Sequence, residues 1–471
     1  MRGLLRHAAY LPHARLQREE ISSVLGLASL RGSRSVASYD EDATTLAVEA
    51  GRLTLRGSDI QPTRVYFATS VPPYLDKTNA SVVHAALGLD RSALAVDMGG
   101  APRSAVGAVL AGADASVETL VLLSDLRTGL PGSSDEREGG DAAAALLFGA
   151  GTAQTPVLAT IVASASTTDE FLERWRLPGD RASRIWEERF SEHVFSRLAD
   201  EAFAAALKAA DLTPAQVDHL VVAGLAGRSV QQFRKSSGVR PEAIAPDHSS
   251  VIGNSGAAQV GLLLSDVLDR ANPEETIVLV HLGDGATAIV LRTTADVEGG
   301  RSPRPLAAQL AGTDVPYASF LSWRGMLDRE PPRRPEPDAP AAPPTLRSSG
   351  YKYGFHGLVC GACGAVTVPP ARVCYACGEV DSMAPNPLRD VPGTVATLTV
   401  DRLAYTPSPP MIAVVVDFDG GGRFRCELAD ASPDDVAIGS RVEMTFRCTG
   451  SSHGVHNYFW KARPLRTRLE D

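Results

Sequence analysis

Four of the six cysteines are spaced to hold a metal. Cys360 and Cys363, then Cys374 and Cys377, form two CxxCG turns within YKYGFHGLVCGACGAVTVPPARVCYACG (351–378). Zinc takes four thiolates in a tetrahedron at ~2.3 Å, and each CxxC turn delivers two of them. Gly364 and Gly378 let each turn close tightly. Four thiolates leave no open coordination position, so the expected role is structural. Iron fits the same pattern, and the sequence leaves zinc and iron open. Disulfides are disfavoured in a chain expected to be cytoplasmic. Cys426 and Cys448 fall on predicted strands and are read as packed core thiols.

No cysteine precedes Cys360, so the first 359 residues have no thiolate chemistry of their own. Ser104 carries a hydroxyl, but a serine nucleophile needs an adjacent base. His84, His219 and His248 qualify by residue type alone and are read as structural or solvent-facing.

The elements that position these residues are set by patterning. The chain has 471 residues, 44% hydrophobic and 21% charged, with a net charge of -9, in the range of globular proteins of about three domains. An acidic chain is repelled by phosphate backbones, so no nucleic-acid partner is expected. Arg6 and His7 break the opening apolar run, and no stretch approaches the ~20 residues of a membrane span. Neither a leader nor a membrane segment is expected.

Residues 329–345, REPPRRPEPDAPAAPPT, hold seven prolines and are expected to form an extended linker, incapable of helix and long enough to carry the C-terminal residues across another domain. Before it lie residues 1–328; after it come the cysteine turns (346–380) and a last segment (381–471). The first of these repeats itself. ETLVLL and GDAAAALLF in its first half match ETIVLV and GDGATAIVL in its second. Short β-branched runs between helices predict a mostly parallel sheet covered on both faces, in two pseudo-repeated halves.

YLPHARLQREEI (Tyr10–Ile21), FATSVPPYLDKTNASVVHAALGL (Phe67–Leu89), AVDMGGAPRSAVGAVLAGAD (Ala95–Asp114) and IGNSGAAQVGLLL (Ile252–Leu264) together resemble the thiolase superfamily. The nearest branch is that of 3-hydroxy-3-methylglutaryl-CoA synthase and ketoacyl synthase III, over about residues 1–325. The resemblance implies an α/β thiolase-like fold and an active site with a cysteine at a helix N-terminus, a histidine, an asparagine and a glutamate. The cysteine falls at Pro102 or Ala101, the histidine within Val221–Ser229 at Ala223, and the glutamate at Thr69 or Ser70. Only the asparagine is kept, as Asn254. The scaffold is expected without its catalytic set.

After the cysteine turns come five strand-like runs, with a hairpin at Asp419–Gly422, which suit a five-stranded OB-fold β-barrel. Residues 345–471 carry no net charge, and strand alternation is expected to bury part of the Tyr458–Phe459–Trp460 run, against a nucleic-acid groove. CxxCG, VPPARVCYACG and DRLAYTPSPPMIAVVVDFDGGGRF resemble the rubredoxin-like zinc-ribbon/OB-fold family of acyl-CoA enzymes, over about 347–465. That resemblance implies structural zinc, a CoA thioester as ligand or substrate, and a hetero-oligomer with a thiolase-type acyltransferase. The alternative is a stand-alone synthase-like acyltransferase with a non-standard active site.

Overall fold

A computed structural model describes residues 2–330, 333 and 338–466. The first part is built on nine strands. These are β1 (Gly3–Tyr10), β2 (Arg64–Thr69), β3 (Leu94–Gly99), β4 (Thr119–Leu126), β5 (Asp141–Gly149), β6 (Ala159–Thr167), β7 (His219–Gly224), β8 (Thr276–Leu282) and β9 (Ala286–Thr293). They form one sheet in the order β7-β8-β9-β6-β1-β5-β4-β2-β3. The repeated segments occupy matching places: β4 and β5 pair antiparallel, as do β8 and β9.

The expected mostly parallel sheet is corrected to a mixed one. β2 runs parallel to β3 and β4, and β7 parallel to β8. The other five pairings are antiparallel. Strands such as β5 are buried on both faces whatever their direction, so a continuous apolar run does not report polarity. The halves also differ at their ends. β3 has a counterpart in the second half only as a single parallel bridge, Leu220 to Ile244.

Six helices make the layers: α1 (Ala43–Leu55), α2 (Ala80–Leu87), α3 (Ser104–Asp114), α4 (Glu188–Ala209), α5 (Gly227–Ser236) and α6 (Gln259–Leu268). α1 covers the outer face of the first half, α4 that of the second, and α3 and α6 lie between them in a shared apolar core. Small residues set the spacing of that middle layer. A Cβ on Gly261 of α6 would stand 2.7 Å from Ala144 Cβ on β5, so helix and strand meet at backbone distance. The start of α1 is fixed by a capping box: Asp42 accepts from Thr45 N–H, and Thr45 Oγ1 accepts from Asp42 N–H, both at 2.8 Å.

The proline-rich segment departs from expectation at its end. Ala342–Arg347 is helical, with Pro343 and Pro344 in its first turn. First-turn N–H groups have no intrahelical acceptor, so proline costs nothing there. The expected extended run otherwise falls in part on 331–332 and 334–337, outside the described residues.

Beyond it, β10 (His356–Cys360), β11 (Val366–Thr367) and β12 (Met383–Pro387) form a small three-stranded sheet around the cysteine turns. Then β13 (Gly393–Asp401), β14 (Met411–Phe418), β15 (Arg423–Glu427), β16 (Arg441–Ser452) and β17 (Val455–Pro464) succeed one another in the chain and pair in the order β15-β14-β13-β16-β17. A parallel bridge from Leu428 to Ala462 closes the barrel. The β14–β15 hairpin turns at Asp419–Gly422, where Gly420, Gly421 and Gly422 all take positive φ.

The barrel is docked on α1 of its own chain. Buried Glu49 of α1 pairs with Arg463 at 2.8 Å and Arg52 at 2.9 Å, and accepts from Phe446 N–H. Arg447, with no exposed side-chain surface, pairs with Asp40, Glu41 and Asp430 at 2.7–3.2 Å. Lys461 joins Asp40 to Glu427. Tyr458 donates to Asp42, and Trp460 lies under Arg52. Both rings are buried, as alternation along β17 leads one to expect.

Candidate functional site

The site lies where β2, β3, β4 and β7 end. The turn after β3 carries Gly99 to Arg103 into α3, and Ala101 and Pro102 line a cleft of about 440 Å³. A second cavity of about 620 Å³ adjoins it, lined by Ala223, Gly224 and Asn254. Arg127, Glu173, Arg174, Leu225 and Ala226 face both. Ser70, Ala101, Pro102, Ala223 and Asn254, singled out by the resemblance, therefore come together around one composite cleft.

Their chemistry differs from that of a nucleophilic site. Pro102 and Ala101 have no reactive atom, and Ser104 Oγ donates to the Gly99 carbonyl at 2.8 Å. Ala223 is buried on β7. Asn254 spends its amide on the backbone: Nδ2 donates to the Gly224 carbonyl at 2.7 Å, and Oδ1 accepts from Gly256 N–H. Thr69 and Ser70 are tied to buried Asp125, which accepts four hydrogen bonds, from both hydroxyls, Ser70 N–H and Ala257 N–H. A Cβ on Gly256 would stand 2.3 Å from that carboxylate, and Gly256 has φ +56. Only glycine fits this turn.

The three histidines singled out by type stand elsewhere. His84 Nε2 meets the Asp90 carbonyl, His219 pairs with Glu275 at 2.8 Å, and His248 with Asp266 at 3.1 Å. None lines the cleft. Sequence reasoning missed His281 at the end of β8, buried against Gly283 with Nδ1 lacking a partner among the described residues. Burial and then Arg103 push its pKa down to about 4, so it is neutral at pH 7. It missed the guanidinium groups too. Arg127 and Arg174 share Asp135 at 3.6 and 2.6 Å, while Arg103 and Arg176 face the same cleft. The signal lies in the arginines of DMGGAPRS, SDLRTG and RWR, residues that a search for nucleophiles passes over.

The four clustered cysteines converge. Their sulfurs lie within 4.8 Å of one another, with Cys360 and Cys377 at 3.7 Å and Cys363 and Cys374 at 3.6 Å. Four thiolates ~2.3 Å from a common metal would be ~3.8 Å apart, so the cluster fits a tetrahedral ion. Gly364 and Gly378 close the turns with φ +74 and +77, donating to the Cys360 and Cys374 carbonyls. Cys426 and Cys448 pack on the barrel core, where burial pushes their thiols up to about 12 and about 11.

Two families match this chain. The C-terminal part of 3-oxoacyl-[acyl-carrier-protein] synthase III matches residues 207–293, and the C-terminal OB-fold domain of ChsH2 matches 387–447. The chain joins a thiolase-like domain to a ChsH2-type OB-fold domain. Hydroxymethylglutaryl-CoA synthase of Methanopyrus kandleri is 27% identical over 342 residues, 69% of this chain and 96% of that protein. Among solved structures, HMG-CoA synthase complexed with CoA superposes with TM-score 0.58 at 19% identity, covering 68% of this chain and 89% of that one. FabH from Pseudomonas aeruginosa gives TM-score 0.55 at 21% identity, over 62% of this chain and 98% of that one. These likenesses extend over the thiolase-like domain and carry its fold. Among the described residues no helix is long and apolar enough to cross a membrane.

Proposed function

We propose that this chain is the synthase-like, acyl-CoA-binding subunit of an acyl-CoA-processing assembly, and that it contributes no nucleophile of its own. One observation supports the reading: the cleft is lined by Ala101, Pro102 and Ala223, the positions at which the resemblance implies a thiolate and its base. A thiolase-type chain supplies the cysteine for forming or cleaving the carbon–carbon bond. Fusion to a ChsH2-type OB-fold domain supports an assembly role. So does β3, an edge strand whose Leu94 is half exposed and whose outer side has no partner among the described strands. Residues 1–328 form the thiolase-like domain, 329–345 the linker, 346–380 the zinc ribbon and 381–471 the OB domain. Cys360, Cys363, Cys374 and Cys377 hold one structural zinc.

The test is co-expression with a candidate cysteine-bearing thiolase, followed by light scattering and acetyl-CoA or acetoacetyl-CoA turnover. A hetero-oligomer that is active only when both chains are present is expected. A homodimer that turns over substrate alone would instead establish the independent acyltransferase.

A further inference from the structure

Between β6 and α4 the chain leaves its layers and crosses the composite cleft. Residues 168–187 fold back as a short hairpin in which Arg174 pairs with Ile185 and Trp175 with Arg184. No residue of this stretch is buried. Among the described residues, no hydrogen bond between backbone groups joins 171–186 to any residue outside it. A two-stranded hairpin of this size is not stable by itself. Phe171 anchors one end, edge-on to Phe195 of α4 at 5.1 Å. The other end runs into α4, whose N-cap Glu187 supplies no side-chain cap. Over the cleft two arginines tie the hairpin down. Arg174 Nη1 donates to both Asp135 carboxylate oxygens at 2.6 and 2.9 Å, and Arg176 Nη2 donates to the Ser70 carbonyl at 2.5 Å.

The same stretch is a wall of the site. Glu173 and Arg174 line both cavities, Trp175 and Arg176 the first, and Ile185 the second. On its outer side Leu172 and Trp186 are more than half exposed, so no further layer clamps it from outside. The tie at Asp135 is also easily released. Asp135 faces Arg127 as well, at 3.6 Å, so a departing Arg174 leaves no bare carboxylate behind and itself moves into water. Breaking a buried pair costs most when one charge is stranded, and here neither is.

We propose that residues 168–187 are a flap that opens to admit a ligand to both cavities and closes over it. Phe171 and the start of α4 are its hinges, and Arg174 on Asp135 with Arg176 on Ser70 is its latch. Elements with few buried contacts open at low cost while the core beneath them stays folded. The proposal rests on the reading of the composite cleft as the acyl-CoA site, and adds how that site is entered.

Hydrogen exchange of the full-length chain, read by mass spectrometry with and without CoA, tests it, and calorimetry measures CoA binding separately. In the wild type, peptides over 171–186 should exchange more slowly than an unstructured chain and far faster than β5. Arg174→Gln should speed that exchange about tenfold, the loss of one charge-assisted contact, with β5 and the melting temperature unchanged. Arg176→Gln, which removes the second tie, should act in the same direction. Saturating CoA should slow flap exchange in the wild type severalfold. Flap exchange as slow as that of β5 or as fast as an unstructured chain, wild-type exchange in both variants, or bound CoA that leaves flap exchange unchanged would overturn the flap. The calorimetric arm separates the two readings. CoA binding beneath a stretch that fails these tests leaves the acyl-CoA reading standing and removes the flap. A stretch that loosens in both variants of a chain that binds no CoA does the reverse.

Discussion

Two regions of this molecule gather arginines, and they treat them differently. At the contact of the OB domain with α1, Arg447, Arg463 and Arg52 each face at least one carboxylate at 2.7–3.2 Å. In the cleft, Arg103 and Arg176 face carbonyls and hydroxyls. A buried ion pair stabilises little beyond an apolar equivalent, yet breaking one leaves an uncompensated charge and costs several kcal/mol. The paired set therefore fixes one docking geometry, whereas Arg103 and Arg176 line an open cleft. What separates the two is whether the chain places a carboxylate at ion-pair distance.

The largest way to disturb this contrast is to remove the metal. If four thiolates hold zinc, elemental analysis finds one ion per chain, and Cys360→Ser with Cys377→Ser forfeits binding energy on the order of 10 kcal/mol. Limited proteolysis should then cut the ribbon while the thiolase-like domain stays folded. Four free thiols and no metal in carefully prepared protein would contradict this.

Next comes the paired region itself. Arg447→Ala strands Asp40, Glu41 and Asp430 and should cost about 3–5 kcal/mol in urea unfolding. A loss below about 1 kcal/mol would mean that the network does not hold the OB domain in place. Acid acts on the same contact more gently. Burial alone would raise the Glu49 pKa, but Arg463 and Arg52 outweigh it and hold it at about 2, below its ordinary 4.5. A depressed carboxylate contributes stability that is complete above pH 4.5 and is lost as pH falls through about 2. Unfolding monitored between those limits should show the loss, and Glu49→Gln should flatten it.

The smallest effect belongs to an exposed pair. Arg441 meets Asp419 at 2.5 Å, with about half of each side chain in water. Arg441→Ala should leave the urea unfolding midpoint indistinguishable from wild type. A measurable shift would mean that exposure does not separate decisive pairs from incidental ones here.

Much of this was legible in the sequence because it rests on spacing. The cysteine turns, the doubled ETLVLL and ETIVLV strands and the five barrel strands are all local patterns. Strand direction was not legible, because burial on both faces gives the same apolar run either way. The docking of the OB domain was also hidden. Glu49 and Arg52 lie within α1 and look like an ordinary solvated pair three residues apart, until β16 and β17 bring Arg447 and Arg463 against that face. His281 and the cleft arginines were missed for a similar reason. Their meaning comes from neighbours distant in sequence, as with Arg103 and Asp284.

The claim beneath all of this is that the thiolase-like scaffold persists here without covalent acyl chemistry. Intact-mass spectrometry of the purified chain after incubation with acetyl-CoA, with peptide mapping of residues 1–325, tests it most directly. The account predicts no acetyl group on any residue of that span. A stable acetyl adduct on Ser104, or anywhere within Ala95–Asp114, would contradict it.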